Sequence, residues 1–356
     1  TYRQTEVIGL GGTLILDSYI LRFDYGIFHT KDPNSDIRRD RPDKQDGSFA
    51  TAAKWIIISG SNFFIICPAK DKKKFELFKN KNVSIINEDE IIAFSNFKNI
   101  FNLYMKKSSY FNQIQTRVSW YYQQCLKISF IFYYFKIIDQ NGNLILWDAD
   151  TIIIKKIKFF NKEHSIKYGN VNEFFKAYYH TALTLLQILP NYFVSSLNQF
   201  AVISKKEYFF LNSKLQNFIK INDYKTSDWI AHLISKSVLD THSVYNGSLF
   251  SEYEIIGISN ILCNPGRQKL IKYFRANLGG ELTNNQIKIL KIFNFFHITY
   301  EYSHYRLLKV DFFKNKQSWK SFLLIFIRYL WKYYFKSSKS FLLYYLSRIK
   351  LIKKDI

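Results

Sequence analysis

A chain of 356 residues is long enough for one large or two modest domains with a sizeable buried core. An apolar fraction of 47%, with 19% aromatic residues, excludes a disordered chain, because that much apolar surface offsets the entropy of ordering. The formal charge of +23, from 51 basic and 28 acidic side chains, favours anionic partners such as nucleotides, nucleic acid or acidic lipid headgroups, although a Lys-rich, Arg-poor composition also follows from biased base content.

The first 50 residues combine a strand-like stretch over 4–30 with the polar loop "DPNSDIRRDRPDKQDGS" from Asp32 to Ser48. The start lacks a basic segment followed by an apolar run, and no apolar run in the chain reaches the roughly 18 residues of a spanning helix. Neither a secretory signal nor a membrane span is therefore expected. "WIIISGSNFFIIC", Trp55 to Cys67, reads as one or two buried strands, "PAKDKKKFELFKN" as a turn into a helix, and "VSIINEDEII" as another short strand. Spacings of three and four then join Trp120, Gln123, Gln124, Lys127, Phe130, Ile131 and Tyr134 on a helix. The turn Asn141-Gly142 leads into a strand from Leu144 to Trp147. This alternation predicts an α/β fold with a mostly parallel sheet flanked by helices, occupying 51–317 between an N-terminal segment, 1–50, and basic helices over 318–356. Cys67, Cys125 and Cys263 are isolated thiols, which argues against a disulfide framework or a zinc site of the usual kind and suits a reducing compartment.

Within "NGNLILWDADTIIIKK", Asn141 to Lys156, Asp148 and Asp150 stand at the carboxyl end of the predicted strand, where ligands of α/β sheets gather. Alternate residues share a face, so both carboxylates can converge on one ligand. Hard oxygen donors of this kind suit Mg²⁺ or Mn²⁺ bridging to substrate phosphates. The plainer reading is that Asp148 caps the following turn and Asp150 is solvated.

"LILWDADTIIIKK", preceded by "WYYQQCLK" from Trp120 to Lys127, resembles the bacterial nucleotide-sugar glycosyltransferases of the GT-A fold, with their Trp-x-x-Gln-Gln-x-x-Lys helix and a strand ending in Asp-Ala-Asp. "FSEYEIIG", Phe250 to Gly257, is similar to the Ser-Glu-Tyr-Glu segment of one branch of these enzymes, and the likeness extends over about residues 60–310. The resemblance implies a Rossmann-type, GT-A-like catalytic domain and a metal, Mn²⁺ or Mg²⁺, held by Asp150 and Asp148. It implies that the helix carrying Trp120, Gln123, Gln124 and Lys127 lines the donor site, with Lys127 meeting a phosphate as a point charge. The first strand of such enzymes, which holds the base, has only "FDYGIFHTKD", Phe23 to Asp32, as a candidate here.

Glu252 and Glu254 share a face if the segment around Tyr253 is extended, which makes either a candidate general base for an acceptor hydroxyl, or else part of a solvated acidic turn. His297 and His304 fall where GT-A enzymes supply a late metal ligand, while a lone His is more commonly structural, as for His180, His232 and His242. Asn198 and Gln199 are expected in a strand beside the acceptor. From Arg306 to Ile356 there are 13 Lys and Arg against Asp311 and Asp355, a net of +11. Interleaved with Trp, Tyr, Phe and Leu, these cations predict either helices lying in the interface of an anionic membrane or helices packed on the catalytic domain with a basic outer face. The expected function is thus metal-dependent transfer of a sugar from a nucleotide-sugar donor to a cell-envelope or lipid-linked glycan, by a cytoplasmic enzyme held peripherally at the inner face of the membrane. A basic, non-catalytic nucleic-acid-binding protein is the alternative, and it leaves the Asp-Ala-Asp and Ser-Glu-Tyr-Glu segments without a role.

Overall fold

The computed structural model describes residues 11–16, 19–24, 55–59, 62–106, 114–138, 142–148, 151–161, 164–170, 175–188, 195–221, 228–242, 248–266, 268–276, 282–299, 317–331 and 333. The chain forms two compact units, each built from separated stretches. One comprises Thr1–Asp46, Asp150–Ile157 and Ile271–Tyr334; the other comprises Gly47–Ala149, Lys158–Leu270 and Phe335–Ile356. These divisions differ from the expected boundaries at 50 and 317. The reason is strand pairing: Thr151–Ile153 pairs with His297–Thr299, which pairs in turn with Tyr273–Arg275, so a mid-chain segment joins the later residues.

The larger unit is built on five strands: β1 (Trp55–Ser59), β2 (Asn62–Cys67), β3 (Val83–Asn87), β4 (Asn143–Asp148) and β5 (Phe200–Ser204). They lie in the order β5-β4-β1-β2-β3. The architecture is α/β, as expected, but the sheet is mixed: only β2 and β3 run parallel, and the β1–β2, β1–β4 and β4–β5 pairs are antiparallel. Two residues, Gly60 and Ser61, separate β1 from β2, and so short a link joins only antiparallel neighbours, whereas a parallel crossover needs a dozen residues or more. "WIIISGSNFFIIC" is accordingly two strands in a hairpin, with Trp55 opposite Ile66 and Ser59 opposite Asn62.

Six helices of this unit concern the site: α1 (Phe94–Met105), α2 (Val118–Tyr133), α3 (Lys176–Leu186), α4 (Lys205–Ile221), α5 (Trp229–His242) and α6 (Glu252–Cys263). Most residues of α2 are buried, including Tyr121, Tyr122, Cys125, Leu126, Ile128, Phe130 and Ile131, so this is a helix apolar around most of its circumference and surrounded by protein. Its Phe130 and Tyr134 meet Phe64 of β2 at ring-centroid distances of 5.7 and 5.9 Å. The helix α6 packs against α3, α4 and β5.

In the smaller unit, Gly11–Leu16 and Tyr19–Asp24 form an antiparallel ribbon, and the helix Trp319–Trp331 packs on the three-stranded sheet. The helix buries Phe322, Ile325, Phe326 and Tyr329, and Phe322 and Tyr329 contact the Phe274 ring. Tyr333 follows it, its hydroxyl accepting from Tyr273 N at 2.8 Å and donating to Tyr273 O at 3.0 Å. The opposite face leaves Leu324, Ile327 and Trp331 more than 60% exposed, so this helix is apolar on both faces. Among the described residues no helix is long and apolar enough to cross a membrane.

Candidate functional site

Lys127 is 3% exposed, the kind of position a lysine occupies only when its charge is compensated. The compensation comes from two other elements. Its Nζ lies 2.8 Å from Asp148 Oδ1 at the end of β4 and 2.5 Å from Glu252 Oε1 at the start of α6, and it donates to Tyr253 Oη at 2.7 Å. The ammonium also sits 4.1 Å from the centre of the Tyr253 ring. The Asp148 contact is a close ion pair without the direction of a good hydrogen bond; the Glu252 contact has both. Gln124, one turn before Lys127, donates its amide to Phe250 O at 2.9 Å and Glu252 Oε2 at 3.1 Å when its carboxamide is set to satisfy both acceptors.

Electrostatics keep the Lys127 ammonium charged. Burial would lower the Lys127 pKa, but the Asp148 and Glu252 carboxylates outweigh it and hold the ammonium above its ordinary value. Burial pushes the Glu252 carboxyl upward, opposed by Lys127 and reinforced by the like charge of Asp148. Asp148 is the most accessible member, its side chain 14% exposed.

The Ser-Glu-Tyr-Glu segment is not extended. Ser251 is the N-cap of α6, its Oγ accepting from Glu254 N at 3.4 Å, so Glu252 and Glu254 stand in a helical first turn and point to different partners. Glu254 is 1% exposed; its carboxylate accepts from Ser195 Oγ at 2.5 Å and from Ser196 N at 3.0 Å. Burial pushes its carboxyl up to about 7, against those two hydrogen bonds. Glu254 therefore anchors the chain leading into β5. Gly257, one turn later, makes that approach feasible, since a Cβ there would lie 2.0 Å from Ser196 Oγ. The pattern Ser-x-x-Glu ahead of an apolar run is itself a helix-start signal.

The other expected residues fall as follows. Trp120 is half-buried and stacks on Tyr178 at 6.1 Å, while Gln123 is half-buried on the same helix as Lys127. Gln199 carries a left-handed backbone, φ 62°, and its carbonyl accepts from Asp148 N at 3.1 Å, so the residue entering β5 also ties down the end of β4. Asn198 donates to Tyr168 O at 2.9 Å. His297 is fully buried in the smaller unit, stacked on Tyr273 at 5.1 Å. Asp150 and His304, with residues 334–356 of the tail, lie outside the described residues. His180 is exposed, His232 Nδ1 meets Tyr104 Oη at 3.1 Å, and His242 is buried. No group of three or more His, Cys, Asp or Glu that would hold a metal occurs among the described residues.

Sequence reasoning thus singled out Gln124, Lys127, Asp148 and Glu252, and the structure brings these four together. It did not single out Tyr253 as a contact of Lys127, nor Ser195, Ser196 and Gly257 as the counterparts of Glu254. No curated protein and no solved structure matches the chain. The sequence pattern of a family of unknown function, DUF6492, matches residues 49–286, a span that includes every residue of the Lys127 cluster and Asp150 and excludes His297 and His304. The chain belongs to this family.

Proposed function

We propose that this protein is a glycosyltransferase that moves a sugar from a nucleotide-sugar to a glycan or glycolipid acceptor, with the donor diphosphate lying at the carboxyl end of β4. One observation carries the reading: three segments far apart in sequence, the Gln-Gln-x-x-Lys helix, the strand ending in Asp148 and the Ser-Glu-Tyr-Glu turn, meet through Lys127 at distances of 2.5–2.8 Å. With its three groups ionised the cluster carries one net negative charge, so it favours a cation. The Asp148 carboxylate is a hard oxygen donor of the type that Mn²⁺ or Mg²⁺ takes, and Asp150, two residues on, would be its companion. Such a cation, when bound, supplies positive charge that stabilises the departing diphosphate. In this scheme Lys127 orients the Asp148 carboxylate, and Glu252 with Gln124 orients Lys127. In this scheme both glutamates, which are buried, serve as positioning residues in place of the acceptor base.

The test is release of nucleotide by the purified chain from UDP-, GDP-, CDP- and dTDP-sugars, with and without Mn²⁺ or Mg²⁺. Turnover that needs the metal and is abolished in Asp150→Ala is the expected result. If no nucleotide-sugar is turned over or stabilises the fold, and the chain instead binds RNA or DNA with steep salt dependence, the nucleic-acid reading replaces this one.

A further inference from the structure

Twelve large apolar side chains are exposed among the described residues, and seven of them fall within 292–331 of the smaller unit. Single exposed apolar residues are ordinary, but such a concentration marks an interaction surface. Two elements supply it. The helix Asn284–Ile292 ends with Ile292 74% exposed and Phe293 38% exposed. The Phe293 ring meets Phe326 of the helix Trp319–Trp331 edge-on at 5.0 Å, so the end of the first helix adjoins the second.

On the second helix, Trp319, Leu323, Ile327 and Trp331 stand four residues apart and form one row along its length, every member 44–63% exposed. The adjoining row is Lys320, Leu324 and Arg328, all exposed. A Trp at each end of an apolar row, with cations on the row beside it, suits a helix lying in a membrane interface: the rings sit at headgroup depth, Leu and Ile reach the acyl boundary, and the basic side chains extend to the phosphates. Its 13 residues span about 20 Å, short of the ~30 Å of a bilayer core, so the helix lies on a membrane and does not cross it.

The charge is one-sided. The segments 151–157, 271–276, 282–299 and 317–331, which make up the three-stranded sheet and these two helices, contain no Asp or Glu, while Lys156, Lys288, Lys291, Lys320 and Arg328 are exposed on them. A second copy of this chain would bring like charges together across such a face, whereas acidic headgroups complement it.

We infer that this surface docks on an anionic lipid bilayer, with the helix Trp319–Trp331 parallel to the membrane plane and Ile292 and Phe293 inserted beside it. The docking stands whether or not the chain transfers a sugar.

The experiment mixes the full chain with vesicles of phosphatidylcholine, alone or with phosphatidylserine, and with the same lipids brominated in their acyl chains. Flotation and tryptophan emission are the readouts. Flotation that requires phosphatidylserine is expected, weakened but not abolished by high salt, together with quenching by the brominated lipid. Trp319→Phe/Trp331→Phe should still float and lose most of the quenching. Lys288→Glu/Lys291→Glu should bind at least tenfold more weakly, since it replaces two attractive charges with repulsive ones. Should either double variant fail to fold, Trp331→Phe or Lys288→Glu alone is read in its place. Flotation indifferent to phosphatidylserine, quenching that survives the tryptophan substitutions, or undiminished binding of the glutamate variant overturns the inference. So does dimerisation of the lipid-free chain that the same substitutions abolish, which makes this face a contact between copies.

Discussion

Replacing Lys127 with Met keeps the volume of the side chain and removes its charge. At an effective dielectric of about 20, unit charges 2.8 and 2.5 Å apart attract by about 6 kcal/mol each. Desolvation of the three groups offsets much of this, but the variant retains the cost of burying two carboxylates and loses their counter-charge, a situation that typically destabilises by about 3–5 kcal/mol. Urea unfolding at pH 7 should show a loss of that order. Lys127→Met/Glu252→Gln should recover at least about 1 kcal/mol relative to Lys127→Met, because one of the two orphaned charges is gone. The sign with pH follows from the raised Lys127 pKa: its contribution is fully present below the ordinary value of 10.5 and is lost as pH rises through the folded-state pKa. Parent and variant should therefore converge only in strong alkali. A Lys127→Met protein within 1 kcal/mol of the parent, or one that Glu252→Gln fails to rescue, would refute the claim that the ion cluster holds these elements together.

Three further outcomes are expected. Because burial raises the Glu254 carboxyl from 4.5 to about 7, its stabilising effect is present below 4.5 and lost as pH rises through 7, a span worth about 3 kcal/mol, so Glu254→Gln should flatten the stability profile between pH 5 and 8. Gly257→Ala should destabilise by about 1–3 kcal/mol in thermal unfolding, and Ser196→Gly should restore much of the loss, since the added Cβ meets the Ser196 side chain. The outward face of Trp319–Trp331, with Leu324, Ile327 and Trp331 exposed and Lys320 and Arg328 on the same helix, should bind vesicles containing phosphatidylserine; Leu324→Glu/Ile327→Glu should abolish sedimentation with them without lowering the unfolding temperature, and unchanged sedimentation would place any membrane contact elsewhere.

Apolar runs made α2 and β4 legible: a helix buried around most of its circumference and a strand buried on both faces each read as a nearly unbroken apolar stretch, told apart by length. Asp148 was placed at a strand end by the same signal. What such runs do not carry is pairing across the chain. That Lys127 meets Glu252, or that Glu254 meets Ser195, depends on how α6 packs on β5, and nothing local to either segment encodes it. The strand directions differ from the expected parallel order because the two-residue link between β1 and β2 forces a hairpin, a constraint that the alternation of strands and helices does not carry. Ser251 and Glu254 stand at the spacing of a helix start, and this decides between the extended segment and the turn that the Ser-Glu-Tyr-Glu residues alone leave open.

The strand β5 forms one margin of the five-stranded sheet, and a margin ordinarily exposes backbone groups that recruit further strands. Here the Val202 carbonyl is already taken by the Asn260 amide, and Glu207 occupies the backbone N–H and the hydroxyl of Ser204. The strand is five residues long and buried throughout. Side chains thus occupy positions that a neighbouring polypeptide would need in order to add itself here, which protects this border against edge-to-edge aggregation and obliges any binding partner on this side to be recognised through side chains rather than as an added strand.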